Sequence, residues 1–372
     1  MQIAPRDAID LSLIKRALVV KLRHHGDVLL STPLFTTLKA NVPGIEIDAL
    51  VYSDTRAMLD ENPAVSRLFS IDRGWKTLPS LARVRKEWCL LGQLRDRRYD
   101  LVIHLSEHPR GAWLARLLGC SYSVAPDYSK RSRFWLRSFT HRFSLPKNAH
   151  RHMVEWNLDA LRRIGIQATE EQRKPVLIAG TQGDAEAEQQ LLLHGIDHGI
   201  DHVGFIHLHP ASRWPFKCWP EARNAALIDA LTTRGEKVVI TAAPDEHELE
   251  FVSRICAICR SKPVNLAGKL SLKGLAALTA RAKLFIGVDS APMHMACAMG
   301  TPVVALFGPS GEKEWGPWSS VARVVASNSH ACRPCGIDGC GGGKISDCLV
   351  TLPEDRVLQA VDALLNRELP IR

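Results

Sequence analysis

Residues 282–309 constrain the fold more than any other stretch of the chain. The apolar run 282–288 predicts a buried strand that stops at Asp289-Ser290. The next ten residues carry apolar side chains at helical spacing and end at Gly300; a second apolar run, 302–307, closes at Gly308-Pro309. Strand, loop, helix and strand in so short a span make the two strands parallel, with the helix as their crossover. Small and polar residues where the loop meets the helix leave backbone N–H groups at a positive helix end, which suits a diphosphate. The same residues equally fit an ordinary βαβ unit in which Ser290 caps the helix.

The alternation extends along the whole chain. Strands are predicted at 17–22, 45–51, 67–71 and 100–105, with helices over 28–40, 81–97, 113–118 and 153–164. Residues 126–150, rich in Arg and aromatics without clear periodicity, read as loop with short helical pieces. A polar stretch, 168–174, reads as a linker. Beyond it come strands at 175–178, 203–208 and 237–241 and helices at 185–194, 221–233, 246–260 and 272–280. Strands alternating with helices imply parallel sheets, and 372 residues suit two domains rather than one core. The expectation is an α/β protein of two doubly wound Rossmann-like domains, 1–172 and 173–372. For a final helix at about 353–367, packing back on the N-terminal domain is one option.

Several function classes find no support. No apolar run reaches the roughly 18 residues of a membrane-spanning helix, and Asp7 and Asp10 precede any apolar stretch, unlike a secretory signal. A cytoplasmic protein is expected. No G-x-G-x-x-G follows the first strand, and there is no G-x4-G-K-[ST] loop. The net charge of +9 lies in the first half: residues 1–172 hold 27 Lys and Arg against 18 Asp and Glu, and the remainder holds 21 of each. A basic half suits an acidic partner, whether nucleic acid, an anionic membrane or a phosphorylated substrate, or is simply a solvated face. The basic stretches contain no recognised nucleic-acid module.

Three segments at strand ends could carry chemistry, since open α/β sheets bind ligands at the carboxyl ends of their strands. The first strand runs into Arg23-His24-His25-Gly26-Asp27-Val28-Leu29-Leu30-Ser31-Thr32-Pro33. Asp27 could serve as a base or as the N-cap of the next helix, and Gly26 allows close approach of a substrate. In the second segment, Ser212, Arg213 and Lys217 precede Trp219-Pro220-Glu221, and a fixed cation there would neutralise a departing diphosphate. In the third, Glu246, with Asp245 and Glu248 as neighbours, could take ribose hydroxyls or act as a helix-start acid. At 289–294, the amides of Ser290 and Ala291 are candidates for diphosphate contacts, while His294 could face the phosphates or pack. Cys332, Cys335, Cys340 and Cys348, spaced C-x2-C-x4-C-x7-C, could hold zinc, form a labile disulfide or remain free.

Taken together, Gly26-Asp27-Val28-Leu29 with its following Ser-Thr-Pro, Lys217 before Trp219-Pro220-Glu221, and 287–311 resemble the ADP-heptose lipopolysaccharide heptosyltransferases of glycosyltransferase family 9. The run from Arg23 to Leu30 and the Cys-rich segment 332–344 are most similar to type III members. The resemblance implies a GT-B fold, with an acceptor-binding first domain facing a donor-binding second domain across a cleft. It implies inverting transfer of L-glycero-D-manno-heptose from ADP-heptose to an inner-core heptose, without a metal. Asp27 would be the catalytic base, with His24, His25 and Gly26 near the acceptor. Lys217 and the helix start at Ser290 would stabilise departing ADP. The donor set would be Ser212, Arg213, Lys217, Glu246, Asp289, Ser290, Ala291 and His294, with Asp289 on heptose hydroxyls. One residue more separates Arg213 from Lys217 than in type I members. The implied partners are ADP-heptose, a phosphorylated inner-core acceptor and the anionic cytoplasmic face of the inner membrane, bound peripherally, with no nucleic acid. Rival readings are a type I or II activity on another core acceptor and a non-catalytic nucleotide- or nucleic-acid-binding protein.

Overall fold

The computed structural model describes residues 7, 9–128, 130–144, 150–196 and 204–365. The chain divides into two compact units between Ile178 and Ala179, six residues beyond the division expected from the sequence. The expected linker belongs to the first unit. Thr169 and Gln172 exchange hydrogen bonds there, Arg173 lies 3.6 Å from Glu155, and the Val176 N–H donates to the Thr32 hydroxyl. Residues 175–178 pair with no strand.

The first unit holds β1 (Arg16–Val20), α1 (His25–Leu29), α2 (Thr32–Asn41), β2 (Glu46–Tyr52), β3 (Arg67–Ile71), α3 (Ser80–Asp96), β4 (Leu101–His104), α4 (Arg110–Leu117), β5 (Tyr122–Pro126), α5 (Arg133–Leu136), β6 (His141–Phe143) and α6 (Met153–Arg162). All six strands are parallel, in the order β3-β2-β1-β4-β5-β6, and β1 pairs with β2 and β4 on its two sides. Right-handed crossovers put helices that follow rightward and leftward steps on opposite faces. Accordingly α3 and α4 share one face, where Leu90, Leu91, Leu94 and Leu114 pack with Leu18, Val20, Leu50 and Val102. The short strand β6 lies inside 126–150, which gave no periodic signal, and β5 leads into it, where no strand was expected. Three residues with polar His141 and Arg142 are too few to show one.

The single helix expected over 28–40 is two. In a continuous helix the N–H of residue 33 would donate to the Leu29 carbonyl, and Pro33 has none. The Thr32 hydroxyl donates to that carbonyl instead, at 2.7 Å, and Ser31 Oγ donates to the Val28 carbonyl at 2.6 Å.

The second unit holds α7 (Gly180–Leu193), β7 (Phe205–His209), α8 (Glu221–Thr233), β8 (Lys237–Ile240), α9 (Glu246–Ile258), β9 (Val264–Asn265), α10 (Leu272–Arg281), β10 (Leu284–Val288), α11 (Ala291–Ala298), β11 (Val303–Phe307), α12 (Glu312–Trp315), β12 (Ala322–Ala326), α13 (Asp347–Val350) and α14 (Glu354–Leu365). This sheet is again fully parallel, in the order β12-β11-β10-β7-β8-β9. Its core gathers Ile206, Leu208, Ile286, Val304 and Leu227, with Val357, Val361 and Leu364 of α14 packed among them. The final helix therefore closes the core of the second unit, because its apolar positions 357, 361 and 364 share one stripe; residues 366 and 367 of the expected helix lie outside the described residues.

Candidate functional site

In a doubly wound sheet the strand order reverses at one place, and the carboxyl ends there leave a crevice for ligands. In the second unit that place is between β7 and β10, which pair directly. The loop after β7 is held at two points. Ser346 Oγ donates to the Phe216 carbonyl at 2.7 Å, and the buried Trp219 donates its indole N–H to the Leu352 carbonyl at 3.0 Å. Lys217 sits between these anchors, at the end of a 3-10 turn, and its Nζ donates to Asp289 Oδ2 at 2.5 Å. Asp289 directly follows β10 and has a nearly buried carboxylate, while the Lys217 side chain keeps about a fifth of its surface exposed. Two of the expected donor residues are thus joined at the switch point.

Ser290 occupies the N-cap position of α11 but does not cap with its side chain. Its hydroxyl donates back to the Val288 carbonyl at 3.3 Å, so it does not satisfy the first-turn amides of α11. Pro292 follows in the first turn, where its missing N–H costs nothing. His294 is buried in α11.

Beneath this end of the sheet, the Thr241 hydroxyl is shared by His207 Nε2 at 2.7 Å and His209 Nδ1 at 2.8 Å, and Thr279 Oγ1 bonds His207 Nδ1 at 3.0 Å. Burial lowers the His209 pKa to about 4 and that of His207 well below its usual value, which favours the neutral form of both imidazoles within this hydrogen-bonded network.

A cavity of about 850 Å³ opens beside the same loop, with Ser212, Arg213, Cys218, Glu221, Asp245, Glu248, Phe251, Arg254 and Lys344 among its lining. That volume accommodates a nucleotide. Glu248 is half-buried in the wall and accepts from the Ala243 N–H at 3.0 Å; burial raises its pKa. Glu246, the acid singled out from the sequence, is exposed and is not among the lining residues. Asp245 is the N-cap of α9, accepting from the amides of His247 and Glu248. Burial pushes the Cys218 thiol up to about 12, which favours its protonated form. Lys217, Asp289, Ser290, Ala291 and His294 lie outside the cavity lining. The sequence reading missed Phe251, Arg254 and Lys344, and a lone side chain on an amphipathic helix or glycine-rich loop offers little signal.

The switch point of the first unit lies between β1 and β4. Lys21, at the end of β1, is buried there; its Nζ donates to the Leu105 carbonyl at 3.2 Å and to Asn157 Oδ1 at 3.0 Å. Burial lowers its pKa to about 8, opposed by the negative charge of Asp27. Asp27 itself is the third residue of α1 rather than its cap. Its Oδ2 accepts from the His24 N–H at 3.4 Å, and Oδ1 lies 3.6 Å from Arg23 Nε. His24 is exposed and is the N-cap residue of α1. The His25 ring bonds the Asp54 carbonyl through Nε2 at 2.9 Å, and Gly26 is half-buried between His25 and Asp27. Lys21 went unnoticed in the sequence, although a lysine closing the apolar run Ala17-Leu18-Val19-Val20 is the available signal.

Cys332, Cys335, Cys340 and Cys348 are free thiols. Burial, then the proximity of Cys340 and Cys335, raises the Cys348 thiol. Among the described residues no three His, Cys, Asp or Glu side chains are grouped to hold a metal.

The model of glycosyltransferase family 9 (heptosyltransferase) matches residues 88–345, well over half the chain. The chain belongs to glycosyltransferase family 9. Two Escherichia coli proteins named lipopolysaccharide heptosyltransferase 3 are similar to this family 9 member along most of their length. One is 38% identical over 301 residues, covering 80% of this chain and 85% of its own. The other, from strain K12, is 34% identical over 351 residues, covering 94% and 98%. The solved structure of E. coli ADP-heptose lps heptosyltransferase II superposes with a TM-score of 0.73 at 24% identity, over 94% of this chain and 98% of that one. The fold is that of the GT-B glycosyltransferases. Among the described residues no helix is long and apolar enough to cross a membrane.

Proposed function

We propose that this family 9 enzyme transfers L-glycero-D-manno-heptose from ADP-heptose to a heptose of the lipopolysaccharide inner core, with inversion at the anomeric carbon. The observation that carries the reading is the Lys217–Asp289 pair at the switch point of the second unit, next to a cavity of nucleotide size. The two type 3 relatives favour the side-branch heptose as product.

The adenosine would occupy the cavity, with its ribose hydroxyls on a carboxylate of the α9 start, Glu246 or Glu248. Ser212 and Arg213 border the same space. The diphosphate would lie over the first-turn amides of Ser290 and Ala291, with the Lys217 ammonium against it. Asp289, released from part of its pairing with Lys217, would then accept from heptose hydroxyls, and His294 would face the phosphates from within α11. In the first unit, Asp27 would take the proton of the acceptor hydroxyl as that oxygen bonds to the anomeric carbon. The bond to the ADP oxygen breaks at the same time, and the electron pair leaves with ADP. Charge grows on the leaving phosphate during this step, and a fixed ammonium and amides stabilise it most there. His24, His25 and Gly26 would border the acceptor. Protein cations and amides carry out the charge stabilisation, and the reading assigns no cofactor.

The basic first unit suits an acceptor bearing phosphates and carboxylates. It also suits peripheral residence on the anionic cytoplasmic face of the inner membrane, with Lys130, Arg131, Arg133 and Arg137 contributing. Each such residue near the surface adds about 1 kcal/mol, screened over roughly 8 Å at physiological salt.

The test is incubation with ADP-heptose and a core acceptor lacking only the side-branch heptose, read by mass spectrometry. One added heptose with release of ADP is expected. No transfer to that acceptor, with transfer to one lacking the first or second core heptose, would move the enzyme to the type I or II activity.

A further inference from the structure

The exposed apolar side chains of the first unit are concentrated on one face. Among the described residues of this unit, the large apolar side chains that are solvent-exposed lie, apart from Leu13, on α3, α4 and α5: Leu81, Val84, Trp88, Trp113, Leu117 and Phe134. Leu81 is 87% exposed, Trp88 63% and Trp113 55%. On α3 the positions 81, 84 and 88 fall at i, i+3 and i+7, which forms one stripe. Leu90, Leu91 and Leu94 anchor the other side of the helix in the core. Residues 81–86 are exposed all round, so the first two turns of α3 stand clear of the body.

The three helices form one surface. Arg110 of α4 pairs with Glu87 of α3, and Arg95 Nε donates to the Leu117 carbonyl at 2.9 Å. The Trp113 and Phe134 rings stand 4.6 Å apart, with the Arg116 guanidinium 4.8 Å over Phe134. Cations fringe these rings and the stripe. Arg83, Arg85, Lys86, Lys130, Arg133 and Arg137 form no ion pair among the described residues, and the only acid of α3 besides Asp96 at its end is Glu87, which Arg110 neutralises.

We propose that this face docks on an anionic lipid bilayer, with Leu81, Val84 and Trp88 entering the headgroup–acyl boundary and the surrounding cations meeting lipid phosphates. This rests on the reading of the first unit as the membrane-facing one and adds an apolar, salt-resistant component to it. The chemistry is that of interfacial helices: apolar area supplies binding that salt does not screen, and cations supply binding that it does. A protein partner would need acids placed to match each cation around an apolar strip of its own, whereas a lipid bilayer presents both as a continuous surface. A bilayer of anionic lipid satisfies both parts. A patch of this kind is otherwise a liability for a soluble surface.

The experiment is co-sedimentation of the full chain with vesicles of three parts phosphatidylcholine to one part phosphatidylglycerol, at low and high salt. The wild type, the triple variant L81S/V84S/W88S and the quadruple variant K130S/R131S/R133S/R137S are compared. The wild type should bind and retain part of its binding at high salt, and the triple variant should lose at least about tenfold at both salt concentrations. Brominated lipid should quench more fluorescence in the wild type than in W88F, a readout that needs no change in folding. ADP affinity and melting temperature of the triple variant should match the wild type. Binding lost in the quadruple variant but intact in the triple one, without Trp88 quenching, would overturn the docking face while leaving membrane residence standing. A wild type that binds no vesicle would overturn both. A dimer in solution that the triple variant dissolves would give the face to a second copy of the chain.

Discussion

The two switch points of the molecule each place a lysine beside a carboxylate, and they use it in opposite ways. In the first unit Lys21 is buried, turned inward to a backbone carbonyl and Asn157, and Asp27 is held, among the described residues, by a long bond to the His24 amide and a 3.6 Å approach of Arg23. In the second unit Lys217 reaches outward on an anchored loop and holds Asp289 directly. A buried lysine with its donors occupied shapes the strand ends without being available to a ligand. A partly exposed one can exchange its carboxylate for a phosphate, because the charge pairing is conserved in the exchange. In the proposed reading, the weakly held acid would serve proton transfer and the exposed cation the leaving group.

The largest test falls on the first half of that contrast. Asp27→Asn should lower the rate of heptose transfer about 10²- to 10⁴-fold, as removal of a general base does. Asparagine still accepts the His24 N–H, so the melting temperature should stay near that of the wild type. Full activity in this variant would reduce Asp27 to a helix-start residue. Next, Lys217→Ala should lower kcat/KM for ADP-heptose by about 10²-fold, the cost of losing one preorganised group on a developing charge. Lys217→Arg should recover part of it, and an unaffected alanine variant would show that Asp289 alone is the functional member of the pair. A smaller effect distinguishes two acids. Glu248→Gln should weaken ADP binding about tenfold, since a charge-assisted bond is worth roughly 1.5–3 kcal/mol. Glu246→Gln, at an exposed position, should change it less, and the reverse order would return the ribose to Glu246.

The smallest effect concerns stability. The Lys21 pKa of about 8 lies below its ordinary 10.5, so between those values the unfolded chain binds a proton that the folded chain has released. Stability from this group therefore rises with pH across that window, by at most about 1.4 kcal/mol per pH unit. Denaturant unfolding at pH 8 and pH 10 should show a smaller rise for Lys21→Met than for the wild type; equal slopes would place Lys21 at an unperturbed pKa.

The doubly wound plan was readable because its central strands are buried on both faces and appear as continuous apolar runs such as Leu284–Val288 and Val303–Phe307. The edge strand Arg67–Ile71 was readable, but the edge strands Val264–Asn265 and His141–Phe143 are too short to carry a pattern. The break at Pro33 was visible as a proline yet read through, because Thr32 and Ser31 supply the bonds that the proline removes. At the candidate site, position near the strand ends was the signal that singled out Lys217, Asp289 and Asp27. What the sequence could not show was pairing. That Lys217 meets Asp289 across 72 positions, or that Glu248 rather than Glu246 faces the cavity, depends on the loop path and the helix phase. Ser290 shows the same limit: a residue well suited to capping occupies the N-cap position and bonds backward instead.

The division of labour between the two carboxylate–lysine sites is tested most directly by calorimetric titration of ADP into the wild type, Asp27→Asn and Lys217→Ala. The wild type and Asp27→Asn should bind ADP with the same affinity, and Lys217→Ala should bind it about tenfold more weakly or worse. Weakened binding in Asp27→Asn with unchanged binding in Lys217→Ala would place the nucleotide in the first unit and contradict the account.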